Sequence, residues 1–186
     1  MDDLMKMPDG YELVSSMPHM RNGQSVMVNR YQPAGEYVEF GPREIVITDD
    51  QGELVSISNL TRSDFEGKFA SRTALVERAM DIWEQVLPHY ATGLTFLRIE
   101  RQTREFVADG VSQSFPVVWI KFGHTNGSYN WVTLATDGSV IEIERESEWD
   151  YGRGRRATEM WDNDAWVAAY ENRGPQLAAP GAVARA

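Results

Sequence analysis

Apolar positions between residues 71 and 87 keep helical time: Leu75, Ala79, Ile82, Trp83 and Val86 fall on a single stripe. Arg72, Glu77, Arg78, Asp81 and Glu84 lie mostly off it, so the pattern predicts an amphipathic helix with Trp83 as a core anchor, stopped by Pro88. Elsewhere the pattern is that of strands. Runs at 25–31 and 36–40 are split by Pro33-Ala34-Gly35, and runs at 45–48 and 54–57 flank the turn Asp49-Asp50-Gln51-Gly52. After the helix come runs at 94–100, 103–108, 115–122, 129–135 and 140–149. The later ones are separated by Asp109-Gly110, Asn126-Gly127 and Asp137-Gly138. Connections this short join antiparallel neighbours.

The predicted fold is therefore α+β: an antiparallel β-meander packed on one main helix, with an N-terminal β-region and a C-terminal amphipathic helix at 158–170. Ser63 and Glu66 have capping-box spacing and predict an extra helical turn. Residues 1–24, Met-rich and interrupted by Pro8 and Pro18, read as an irregular N-terminal arm. Residues 25–172 read as a single α+β domain, and the Ala/Pro/Gly-rich 173–186 as an extended C-terminal tail.

The hairpin at Asp137-Gly138 can be taken further. A two-residue type I′ turn pairs Leu134 with Ile141, Val132 with Ile143, Thr133 with Glu142, Trp131 with Glu144 and Tyr129 with Glu146. Glu142, Glu144, Glu146, Glu148 and Asp150 alternate along the second strand. On an extended strand they share one face, at about 6.6 Å between neighbours. Such a ladder repels itself unless cations face it. Arg98, Arg101, Arg104 and the run Arg153, Arg155 and Arg156 are the available internal partners.

The net charge of −10 is uneven, with ten acids against four bases in residues 1–60. This field repels nucleic acid and anionic lipid and favours a protein partner with a basic surface. There is no cysteine, hence no disulfide and no thiolate chemistry. The first residues lack the basic and apolar regions of a signal peptide, and no apolar run reaches membrane-spanning length, so a cytosolic product is expected.

Catalytic signatures are sparse. Gly152-Arg153-Gly154-Arg155-Arg156-Ala157 matches G-x-G-x-x-A in letters only, because the preceding strand is antiparallel and no further strand follows. His19, His89 and His124 have no second ligand at metal spacing. Asp162-Asn163-Asp164 lacks the glycine and terminal glutamate of a calcium loop. No cofactor, metal or catalytic group is predicted.

Phe106-Val107-Ala108-Asp109-Gly110, followed by a polar run and Phe115-Pro116-Val117, resembles a strand-turn-strand motif of bacteriophage tail and tail-fibre proteins. That resemblance covers a dozen residues and implies a phage-derived, virion-associated protein. The favoured function is a non-enzymatic interaction or structural protein, a subunit of a homo-oligomer or multi-subunit assembly. Its expected partner-binding residues are Glu142, Glu144, Glu146, Glu148, Asp150, Trp131, Tyr129, Arg153, Arg155 and Arg156. On that reading, neutralising the acids leaves stability unchanged or raises it. Two rivals stand beside it: an acidic inhibitor that mimics nucleic acid, and a small-ligand enzyme in a cone-shaped sheet.

Overall fold

A computed structural model describes residues 7–33 and 35–183; Ala34, residues 1–6 of the expected arm and residues 184–186 of the expected tail lie outside it. Strands β1 (Tyr11–Arg21), β2 (Gln24–Pro33), β3 (Arg43–Asp49) and β4 (Leu54–Leu60) form one meander. Helices α1 (Arg72–Val86) and α2 (Pro88–Ala91) carry the chain to a second meander of β5 (Leu94–Ala108), β6 (Val111–His124), β7 (Tyr129–Ala135) and β8 (Val140–Ser147). The meanders join through β4 and β8 into one antiparallel sheet, ordered β1-β2-β3-β4-β8-β7-β6-β5. A small ribbon of β9 (Trp149–Asp150) and β10 (Arg155–Arg156) and a short helix α3 (Asp164–Tyr170) complete the fold.

Cross-strand register gives the two faces opposite chemistry. On one, Val46, Ile57, Ile143, Val132, Ile120 and Ile99 form a row across six strands. These residues share a core cluster with Leu75, Ala79, Ile82, Trp83 and Val86 of α1. Each buried side chain of this size contributes about 1.5–3 kcal/mol. Ser71 caps α1 by accepting the Ala74 N–H at 3.3 Å. On the other face the row through the same strands reads Ile45, Ser58, Glu142, Thr133, Trp119 and Glu100. There the chain after β10 folds back, and Trp161, Trp166, Ala169 and Val183 bury Val26, Val28, Ile45, Ile47 and Val55.

Several elements differ from expectation. Residues 11–21 of the expected arm are an edge strand, β1, held by its ladder with β2 rather than by burial, and an edge tolerates Pro18. Residues 36–40 form no strand, and Ser63 and Glu66 open no helix. The runs at 94–100 and 103–108 are one strand. Only Asp164–Tyr170 of the expected C-terminal helix is helical, because Asn163, and not Thr158, supplies the N-cap. The tail is anchored: Val183 is buried, and its carbonyl accepts from Arg155 at 2.7 Å.

Candidate functional site: the two ends of an acid row

Register decides what each carboxylate on β8 meets. Asp137 and Gly138 belong to a wider loop than a two-residue turn, closed by the Ala135 N–H on the Ser139 carbonyl, so Leu134 faces Val140. A bulge at Ile141 then restores the expected pairs Thr133/Glu142, Val132/Ile143 and Trp131/Glu144. A second irregularity follows: Glu146 has φ +58°, and Tyr129 faces Ser147 instead of Glu146. The five-rung ladder therefore breaks after Glu144.

The first two acids turn into a charged layer beneath the returning chain. Arg104 grips Glu142 with Nε at 2.5 Å and Nη2 at 2.8 Å, and the Thr133 hydroxyl donates at 2.6 Å. Burial pushes the Glu142 carboxyl up, but Arg104 and Thr133 outweigh it and hold the group below the usual range. Glu144 is buried and accepts from Arg21 Nη2 at 2.8 Å and from Arg156. Here burial wins over both arginines and the carboxyl is raised, Asp162 adding to the effect. Asp164 completes the layer: Arg30 binds it at 2.6 and 3.0 Å, and the Phe40 N–H at 2.7 Å. Arg43 lies 3.3 Å from the same carboxylate. Burial raises Asp164 too, yet its donors hold it low.

The other end of the row faces outward. Glu146 pairs with Arg145 at 2.8 Å. Glu148 is exposed, and its carboxylate has no ion pair among the described residues. Asp150 accepts the Arg153 N–H at 3.0 Å, across the turn that makes β9 and β10 antiparallel. Arg153 thus stays at the turn, Arg155 reaches the tail, and Arg156 points inward over the Trp131 ring at 5.2 Å. Glu146, Glu148, Tyr129, Trp149 and Tyr151 line an open hollow of about 390 Å³, together with Asn22, Gln24 and Asn126. The Tyr129 and Tyr151 hydroxyls are hydrogen-bonded to each other, and Lys121 Nζ sits 3.5 Å from the Tyr129 ring centroid. Tyr151, 77% exposed, is the rim residue sequence reasoning missed. Its signal was the Trp149/Tyr151 alternation beyond Glu148.

The structure thus brings seven of the expected site residues into two groups and leaves Asp150 and Arg153 at the β9–β10 turn and Arg155 on the tail. Glu142, Glu144, Trp131 and Arg156 gather under the returning chain, and Glu146, Glu148 and Tyr129 gather at the hollow. Two of the histidines are engaged elsewhere, His19 stacking on Trp161 at 4.0 Å and His124 on Tyr90 at 4.1 Å. Among the described residues no three acidic, histidine or cysteine side chains converge as metal ligands, and no helix is long and apolar enough to cross a membrane. No protein-family model, curated protein or solved structure matches the chain.

Proposed function

We propose that this protein is a non-enzymatic interaction protein, a subunit of a larger assembly, that holds a cationic segment of a partner protein in the hollow at Glu148. The observation that carries this reading is the lining: two carboxylates and three aromatic rings, with no Lys, Arg or His among the lining residues. A lysine or arginine entering it gains both charge pairing and an aromatic face. Lys121 already lies over the Tyr129 ring, so the incoming side chain would meet Glu148, Trp149 and Tyr151. The chain's net charge of −10 adds long-range attraction for a basic partner. In this reading the architecture is α+β, with α1 as the one main helix backing the apolar face and leaving the rest of the sheet for recognition. The resemblance of residues 106–117 to phage tail proteins supports a virion-associated assembly.

A photo-crosslinking amino acid at Tyr151, with the same group at exposed Leu97 on the far edge strand as control, tests the proposal. The expected result is an adduct with a basic protein segment from position 151 only, abolished by Glu148→Lys. An adduct that survives Glu148→Lys, or equal capture from position 97, would overturn it.

A further inference from the structure

We infer a second binding site, separate from the hollow at Glu148, for a neutral sugar of one or two rings. A cleft of about 420 Å³ opens between the polar face of the sheet and the returning chain. This volume is in the range of small-ligand sites. Its character is set by Trp119 and Trp131, Arg104, Glu142, Arg156 and Asp162.

The charges exclude an ionic ligand. Every guanidinium lining or backing the cleft is already committed: Arg104 to Glu142, Arg21 and Arg156 to Glu144, Arg30 and Arg43 to Asp164. With Asp162 and Glu105, which have no ion pair among the described residues, these five cations meet five carboxylates, so the lining and its backing sum to no net charge. An anion would meet only guanidiniums that each already hold a carboxylate, although the Nε groups of Arg43 and Arg156 have no hydrogen-bond partner among the described residues. A cation finds Arg156 already over Trp131, and Arg98 and Lys121 each 5.5 Å from the Trp119 ring centroid.

What remains free is polar, uncharged in sum, and aromatic. Trp119 and Trp131 are half-buried, with ring centroids 5.6 Å apart and planes inclined by 50°. Neither indole N–H has a hydrogen-bond partner among the described residues, whereas that of Trp161 is bound to the Met20 carbonyl at 2.8 Å. Asp162 spends one oxygen on the Ser56 hydroxyl at 2.7 Å and keeps the other as an acceptor. Indole N–H donors, a carboxylate acceptor and angled apolar rings match the hydroxyls and C–H face of a pyranose.

The test uses the full chain on an array of neutral and charged glycans, followed by titration of the best neutral binder against tryptophan fluorescence. Inorganic phosphate and arginine amide serve as charged probes. A neutral sugar should bind and perturb the fluorescence. Asp162→Asn, which keeps an oxygen for Ser56, and Trp131→Phe should each weaken it about tenfold. Glu148→Lys should leave it unchanged, so that failure here and failure at the hollow are told apart. Thermal melting of each variant establishes that it is folded, and Asp162→Asn remains informative if Trp131→Phe is not. No neutral glycan bound at millimolar concentration, preferential binding of phosphate or arginine amide, or affinity indifferent to Asp162→Asn would each overturn the inference.

Discussion

Arg21, the last residue of edge strand β1, donates to the Glu144 carboxylate on the central strand β8 at 2.8 Å, both side chains buried. Arg156 binds the same oxygen from the returning chain. One carboxylate thus ties together the first strand, the middle of the sheet and the C-terminal cover.

Removing that carboxylate strands two guanidiniums in the interior. Breaking a buried pair from one side costs about 3–5 kcal/mol, chiefly through the uncompensated charge left behind. Glu144→Ala should therefore lower the urea midpoint sharply. The partner-facing ladder expected from sequence has the opposite consequence, unchanged or increased stability. A Glu144→Ala variant as stable as the parent would show that the pairing contributes nothing.

Glu44 gives a pH dependence of its own. It lies within β3, fully buried, between Tyr31 and Asn59, and its Oε2 has no hydrogen-bond partner among the described residues. Burial pushes its carboxyl from 4.5 up to about 7. The unfolded chain then ionises first, so stability falls as pH rises from about 4.5 to about 7 and levels off above. Glu44→Gln should remove that fall, gaining on the parent across this window. Parallel denaturation curves for the two proteins at several pH values check it. A constant difference between them would show that Glu44 titrates normally.

Trp83 is fully buried on α1, and its indole N–H has no partner among the described residues. Trp83→Ala should cost about 3–5 kcal/mol through the cavity it leaves. Trp83→Phe should cost much less, because it also removes an unsatisfied donor. Equal losses for both would place the indole nitrogen in a bond the packing does not show.

The helix was legible because one stripe, one N-cap serine and one proline all specify the same boundaries. Local alternation likewise located β3, β4 and the pairs Thr133/Glu142 and Trp131/Glu144. Three other features were not legible, each for a physical reason. β1 is stabilised by backbone pairing at an edge, which leaves little apolar period to detect. The break at Glu146 depends on a left-handed residue whose N–H is held by Asn130 at 2.9 Å, a tertiary contact. The inward acids do meet Arg104 and Arg156, two of the internal partners the sequence offered, but Glu144 is also held by Arg21, and no strand period reveals that so distant an arginine will arrive.

That division of the acid row yields the sharpest contrast. Glu148 is exposed and unpaired among the described residues, and Tyr151 projects into solvent, so neither supports the core. Glu148→Gln with Tyr151→Ala should shift stability by no more than about 0.5 kcal/mol. If the hollow receives a cationic segment, the same pair should weaken partner binding by about tenfold, and the remaining binding should depend less on salt. Glu142→Gln with Glu144→Gln should do the reverse, lowering the melting temperature while leaving the hollow's surface chemistry intact. Melting temperature and partner affinity at two salt concentrations, measured on both double variants, separate the two ends. A large stability loss at Glu148 and Tyr151 with binding preserved would show that the outer acids serve the fold, and the docking proposal would fall.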